Sequence, residues 1–148
     1  YLTNWINLIK NLNPFHLAFP VYNIEETKSW YRQILGCEIG RESSKWIDFN
    51  FFGQQISAHL TNKKNQHLDV NNVDQKKIPV RHFGIILEWN DWQSLSKKFI
   101  KKNLEFVVKP YMRFKGKTGE QATMFIKDPS DNVLEFKSFK KFESIFSK

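Results

Sequence analysis

The stretch that decides the fold is residues 80–88, which read VRHFGIILE. Alternate side chains of a strand face opposite ways, so His82 and Gly84 share one face while the other face is apolar. An earlier stretch, PFHLAF at residues 14–19, divides in the same way and places His16 beside a small residue. Two such strands predict two copies of one module, built around a shared site.

The bulk composition fits one ordinary soluble domain. The 148 residues are 41% hydrophobic and 16% aromatic, enough to form a core. No apolar run approaches the roughly 20 residues that span a bilayer, and no secretion signal is seen, so we expect a cytoplasmic protein. The single cysteine, Cys37, excludes an internal disulfide.

We expect the basic residues to lie on the solvent-exposed surface. The net charge is +8 and the pI is near 9.6, but the lysines are scattered or sit in short pairs. No zinc-finger spacing or aromatic RNA-binding signature accompanies them. We therefore expect neither a nucleic-acid partner nor a membrane partner.

The first module, residues 14–61, reads as a strand, a helix and three strands. Asn23, followed three residues later by Glu26, indicates a helix start, and Gly36 supplies its end. The predicted packing face of this helix consists of Thr27, Tyr31, Ile34 and Leu35. The three predicted strands are residues 37–42, 45–52 and 55–60.

The second module, residues 80–139, repeats this order. Asn90 repeats the helix-start pattern, and the predicted buried stripe consists of Trp92, Leu95, Phe99 and Ile100. Three strands follow, at residues 104–108, 121–127 and 132–139. A basic connection at residues 110–119 is long enough to cover a pocket.

The rest of the chain frames these modules. Residues 62–79 are polar, lack periodicity and are predicted to be a linker. Residues 1–13 suit an arm or a short helix, and residues 140–148 a short closing helix. The fold class is therefore α+β, with two βαβββ modules forming a single domain over residues 14–139.

Four polar residues stand on corresponding strands of the two modules: His16 and His59 in the first, His82 and Glu135 in the second. If the modules pair side by side, all four converge on one cavity. Imidazoles with a carboxylate suit a divalent metal, and two histidines with one carboxylate form the facial triad of non-haem Fe(II) sites. The same ligands also hold Zn, Mn or Ni, so the metal stays open.

The chain resembles the vicinal oxygen chelate superfamily, which contains glyoxalase I, fosfomycin and bleomycin resistance proteins and extradiol dioxygenases. The resemblance covers about residues 14–139. It rests on four segments: FHLAF at 15–19, the helix leading to ILGC at 34–37, RHFG at 81–84, and DPSDNVLEF at 128–136. It implies an eight-stranded open cup, formed by the two modules around a metal.

The resemblance also implies residue roles. His16, His82 and Glu135 match the positions that hold Fe(II) in extradiol dioxygenases. His59 falls on the strand that gives glyoxalase-type members a fourth ligand and gives dioxygenases an acid/base histidine behind the ligands. The sequence leaves both roles for His59 open.

The pocket beyond the metal is predicted to include Asp48, Gln121 and Thr123, with Arg113 pairing an anionic substrate group. The leading hypothesis is a small extradiol-type dioxygenase that uses Fe(II) and O2 on a catechol or related substrate with two adjacent oxygens. One alternative is a lyase, isomerase or glyoxalase-like enzyme with Zn, Ni or Mn. The other alternative is a metal-free ligand-binding protein of the bleomycin resistance type. The sequence leaves open whether the protein forms a homodimer.

Overall fold

The structure, a computed structural model, describes residues 12–62 and 69–146. The chain divides into two compact units, Tyr1–Thr61 and Asn62–Lys148. The predicted arm at residues 1–13 lies outside the described residues, apart from its last two.

The first unit is a βαβββ module. Its strands are β1 (His16–Val21), β2 (Glu38–Glu42), β3 (Trp46–Phe51) and β4 (Gln54–Leu60), and its helix α1 (Ile24–Trp30) continues into a π-helical turn (Tyr31–Leu35). The strand order is β1-β4-β3-β2, with β1 parallel to β4 and the other pairs antiparallel. This confirms the predicted order of elements.

Helix α1 forms where the sequence predicts it. The Asn23 side chain accepts a hydrogen bond from the Glu26 amide at 2.9 Å, which satisfies a free donor of the first turn. Thr27 and Tyr31 are fully buried. Gly36 ends the helix with φ of 73°, a left-handed conformation that favours glycine.

The second unit contains the matching βαβββ module and an additional hairpin. The module consists of β7 (Phe83–Leu87), α2 (Trp89–Lys101), β8 (Phe106–Arg113), β9 (Gln121–Lys127) and β10 (Val133–Phe139). The strand order β7-β10-β9-β8, with β7 parallel to β10, repeats the order of the first unit. The described parts of the two units therefore carry eight module strands in two sheets of equal topology, as predicted.

Helix α2 begins earlier than the sequence suggests. The amide of Trp92 donates to the Glu88 carbonyl at 2.9 Å, so Glu88 is the N-cap and Asn90 lies within the first turn. The predicted cap at Asn90 is therefore wrong. Phe99 is buried as expected, but Ile100 is 56% exposed and does not belong to the packing stripe.

Two strand boundaries also differ. Strand β8 continues to Arg113, so the predicted connection at 110–119 shortens to residues 114–120, because the chain stays paired with β9 through irregular register. Strand β7 begins at Phe83, and His82 directly precedes it.

The predicted linker is wrong in its second half. Residues 70–79 form a hairpin of β5 (Val70–Val73) and β6 (Lys76–Pro79). Asp74 and Gln75 in its turn both have positive φ, at 49° and 63°, as tight hairpin turns require. Ile78 anchors the hairpin, since it is 7% exposed and packs with Val108, Phe125 and Val133.

The closing helix is a 3-10 helix over Phe142–Phe146. Within the described ranges, no helix has the length and apolar character needed to cross a bilayer.

Candidate metal centre

His82 is held by its backbone surroundings. Its Nδ1 lies 2.7 Å from the Pro79 carbonyl oxygen, which can only accept, so Nδ1 carries the proton. Nε2 lies 3.2 Å from Glu135 Oε2 and donates to it when the ring is protonated, whereas in the neutral ring Nε2 is the unprotonated nitrogen that can bind a metal. The Phe125 ring packs edge-on against the imidazole with centroids 5.1 Å apart. Tautomer and ring orientation are thus fixed in the manner of a metal-binding histidine.

Glu135 is oriented from its other oxygen. The Thr123 hydroxyl donates to Oε1 at 2.6 Å, and the Lys137 ammonium lies 3.6 Å from the same oxygen. The Glu135 side chain is only 16% exposed, so these partners offset the cost of removing the carboxylate from water.

The pKa values of the pair move apart. The hydrogen bond to Glu135 raises the pKa of His82 above its ordinary value, although burial opposes this. Burial alone would raise the pKa of Glu135, but hydrogen bonds from His82 and Thr123 and the charge of Lys137 hold it below its ordinary value. The carboxylate is therefore ionised at neutral pH, as a metal ligand must be.

Gly84 has a specific role beside this pair. It lies opposite Glu135 in the parallel β7–β10 register, and a Cβ at this position would lie 1.6 Å from the Glu135 carbonyl oxygen. The absence of a side chain lets the two strands approach at the point where the carboxylate is anchored.

In the first unit, the corresponding face of the sheet carries His16, Ser57, Asp48 and His59. The Ser57 hydroxyl donates to Asp48 Oδ1 at 2.5 Å, and both residues are buried. His16 and His59 are both exposed.

The strand registers of the two units can be compared directly. Two residues after each histidine, Ala18 pairs with Ser57 in the first unit and Gly84 with Glu135 in the second. Ser57 is therefore the counterpart of Glu135. His59, which pairs with Pro20, corresponds instead to Lys137, which pairs with Ile86.

This register argues against His59 as a fourth ligand beside His16. His16 pairs with Gln55, so His59 lies four residues further along, about 13 Å at the usual rise per residue. Strand side chains stand roughly perpendicular to the sheet, so the two imidazoles do not meet at one ion. A closed set of three histidines and one glutamate thus does not follow from this structure.

Asp48 lines an open cleft of about 360 Å³ in the first unit, together with Arg41 and Gln55. The Arg41 Nε lies 3.9 Å from Asp48 Oδ2. This placement is compatible with the predicted pocket role of Asp48.

Arg113 has an intramolecular partner. Its Nε forms an ion pair with Asp74 Oδ2 in the hairpin turn at 2.5 Å, and the Tyr111 hydroxyl donates to the same oxygen at 3.2 Å. The positive charge of the guanidinium is therefore already compensated by the Asp74 carboxylate, which argues against the predicted pairing with a substrate anion. Gln121 lies opposite Arg113 in the β8–β9 register and is largely buried.

Sequence reasoning gave no role to Lys137 or Pro79 at this site, and none to Asp74 as the partner of Arg113. Alternation along β10 does place Lys137 on the face of Glu135, so a signal existed. Pro79 acts through a backbone carbonyl, and Asp74 lies in the segment taken as a linker, so neither carries a recognisable pattern.

The described residues contain no cluster of three or more His, Cys, Asp and Glu side chains that could hold a metal. They do contain the pair His82 Nε2 and Glu135 Oε2, one imidazole and one carboxylate at a separation typical of neighbouring ligands. This donor pair fits half of a divalent metal site. The other predicted ligand, His16, belongs to the first unit.

The fold and the sequence together define a class of protein. The sequence pattern of the Glyoxalase/Bleomycin resistance protein/Dioxygenase superfamily matches residues 14–136, and the chain belongs to this superfamily. Its members typically use divalent metals, and they include enzymes as well as non-enzymes.

Solved structures agree with this assignment. A glyoxalase/bleomycin resistance protein/dioxygenase from Alicyclobacillus acidocaldarius is 30% identical, with a TM-score of 0.77 over 90% of this chain and 96% of that one. A fosfomycin resistance protein from Listeria monocytogenes (14% identity, TM-score 0.66, 90% and 97% covered) and a lactoylglutathione lyase from Agrobacterium tumefaciens (13%, 0.62, 92% and 97%) share the fold. A search of curated proteins found no match.

Proposed function

We propose that the protein is a metal-dependent enzyme that binds a small substrate through two adjacent oxygens, with His82 and Glu135 as metal ligands. The observation that carries this proposal is the 3.2 Å separation of His82 Nε2 and Glu135 Oε2, each oriented from behind by a second partner. A bound divalent cation would supply Lewis acidity and, if it is Fe(II), reactivity towards O2. His16 remains the predicted ligand from the first unit.

The protein's own residues prepare the site. The Pro79 carbonyl fixes the imidazole tautomer, and the Thr123 hydroxyl holds one carboxylate oxygen so that the other faces His82. The Phe125 ring packs in a T-shaped contact against the imidazole and adds an apolar neighbour to it. Within this class, we retain the extradiol-type dioxygenase with Fe(II) as the leading reaction and a lyase or isomerase with Zn, Ni or Mn as the alternative.

A second candidate is a metal-free ligand-binding protein of the bleomycin resistance type. One observation favours it: Glu135 already has two cationic partners, Lys137 and a protonated His82, which compensate its charge without any metal. The cytoplasmic location, the lack of nucleic-acid and membrane partners and the homodimer stay predictions from the sequence.

Metal analysis of protein purified without a histidine tag separates these candidates. We expect about one equivalent of divalent metal in the wild type and its loss in His82→Ala and His16→Ala. His59→Ala is the matched control, since the register places His59 away from His16, and it should keep the metal. Stoichiometric metal in none of the preparations, even after reconstitution, would contradict the enzyme proposal and favour the ligand-binding protein.

The reaction is tested after anaerobic reconstitution with Fe(II). Oxygen uptake coupled to ring cleavage with a panel of catechols is the expected result for the dioxygenase. Metal binding without oxygen uptake for any catechol would favour the redox-inert alternative.

A further inference from the structure

Lys137 is the charged residue at this site that the proposed metal chemistry does not use. It follows Glu135 by two positions on β10, so both side chains leave the same face of the sheet. Its ammonium lies 3.6 Å from Glu135 Oε1, and its side chain is 30% exposed, against 16% for Glu135. The Lys137 side chain is thus more accessible to solvent than the carboxylate beside it.

The Lys137 ammonium forms a long ion pair with this carboxylate but no hydrogen bond to it. At 3.6 Å it lies beyond hydrogen-bond distance, whereas the Thr123 hydroxyl already occupies Oε1 at 2.6 Å. The three donors of the ammonium group are therefore available to a ligand that binds beside Glu135.

With a divalent cation bound, the groups at this site would carry an excess of positive charge. A divalent cation, a neutral His82, an ionised Glu135 and a cationic Lys137 would together carry a net charge of +2. Concentrating positive charge in a partly desolvated site is unfavourable unless a bound anion offsets it.

Two cations of this unit are candidates for recognising that anion, and the contacts distinguish them. Arg113 forms a 2.5 Å ion pair with Asp74, so a substrate would have to compete with a carboxylate already in place. The partner of Lys137 is Glu135, and a bound metal would draw the charge of that carboxylate away from the ammonium. The anion-recognition role predicted for Arg113 thus fits Lys137 better.

We propose that Lys137 recognises an anionic oxygen of the substrate and so selects carboxylate-bearing or otherwise negatively charged molecules over neutral ones. The proposal rests on the proposed function, because it takes the substrate to bind at the metal beside Glu135. Lys137 is in this sense a specificity-determining residue.

Oxalate, a small dianion with adjacent oxygens, is a suitable probe, and imidazole is a neutral ligand that needs only the metal. Both are titrated calorimetrically into zinc-loaded wild type, Lys137→Met and Lys137→Arg, with zinc content and affinity measured separately. Lys127→Met is the matched control, because the Lys127 ammonium lies at a similar distance, 3.5 Å, from the carboxylate of Asp131 on the exposed surface.

We expect oxalate to bind Lys137→Met about tenfold to a hundredfold more weakly, the value of one charged contact, while imidazole binding is unchanged. Lys137→Arg should retain most of the affinity and Lys127→Met all of it. Zinc should bind Lys137→Met as tightly as wild type or more tightly, since a competing positive charge is gone. A purely structural role would not lower oxalate affinity while sparing that of zinc.

Equal oxalate affinity in wild type and Lys137→Met, with normal zinc binding, would overturn this inference and leave the proposed function standing. If the wild type binds no zinc, the proposed function fails on that measurement. If it also binds no oxalate, this inference is overturned as well.

Discussion

Replacing Gly84 with alanine tests whether the close approach of β7 and β10 positions Glu135. The added Cβ would lie 1.6 Å from the Glu135 carbonyl oxygen, 2.6 Å from its carbon and 3.0 Å from its nitrogen. All three are backbone atoms, so no side chain can rotate to make room. The strands must separate, or the variant must lose their pairing at this point.

The size of the effect follows from these distances. Carbon and oxygen atoms in non-bonded contact lie about 3.3 Å apart, so the strands must separate by roughly 1.7 Å. Overpacking of this kind costs about 1–3 kcal/mol, and one or two weakened ladder hydrogen bonds add about 1 kcal/mol each. We expect Gly84→Ala to lower the free energy of unfolding by about 3 kcal/mol.

The displacement should also reach the imidazole. The pKa of His82 is raised mainly by its hydrogen bond to Glu135, so withdrawing the carboxylate should return that pKa towards its ordinary value. Urea unfolding measures the stability, and an NMR titration of the four histidine rings follows His82 in the folded, metal-free protein. Zinc affinity should fall along with the pKa.

Gly116→Ala is the control, because Gly116 has φ of 73° and no atom within 4 Å of the added Cβ. It should cost only about 1 kcal/mol of backbone strain and leave His82 unchanged. The reasoning is refuted if Gly84→Ala is no less stable than Gly116→Ala and His82 titrates as in the wild type.

Further tests address the same unit. In metal-free protein, the His82–Glu135 contact stabilises the fold fully between the ordinary pKa values of 4.5 and 6.5, is lost as pH rises through the raised pKa of His82, and is lost again as pH falls through the lowered pKa of Glu135. The stability difference between wild type and His82→Gln in urea unfolding should therefore shrink above pH 6.5; a constant difference would contradict this. Asp128 is buried and accepts two backbone amides of its own turn, so Asp128→Ala should cost about 2–4 kcal/mol in the same assay, and a loss under 1 kcal/mol would contradict that role. Trp92→Phe removes the 2.8 Å indole hydrogen bond to the Phe136 carbonyl and should cost about 1–3 kcal/mol, whereas unchanged stability would mean that the carbonyl finds another donor.

The module order could be predicted because it depends on local patterns. Alternation identified the strand that begins at His16 and the strand that follows His82, and the cap at Asn23 is a contact across three residues. The same cap pattern failed at Asn90, because the helix begins earlier, at Trp89, with the buried Trp92 in its first turn. A local signal holds only where packing does not compete with it.

The hairpin at residues 70–79 escaped prediction for a long-range reason. Its turn residues, Asp74 and Gln75, include no glycine. Its two four-residue strands contain too few apolar residues to show a recognisable alternation. What orders it is the burial of Ile78 against Val108 and Phe125, which are distant in the sequence.

At the candidate site, too, the local pattern was predictable and the long-range contacts were not. Alternation along β10 places Glu135 and Lys137 on one face, but a face is not a position along a strand. Only the register shows that Ser57, rather than His59, corresponds to Glu135, because parallel pairing is set by contacts between strands far apart in sequence.

The orientation of His82 depends on the hairpin rather than on its own strand. Its Nδ1 is held by the carbonyl of Pro79, the last residue of β6, and the preceding Ile78 is buried in the apolar cluster. The Asp74–Arg113 ion pair ties the turn of the same hairpin to β8. Loosening the hairpin would therefore free the imidazole without altering any predicted ligand. The orientation of the predicted ligand His82 is thus set by residues 70–82 as a whole, which no motif of ligands alone can express.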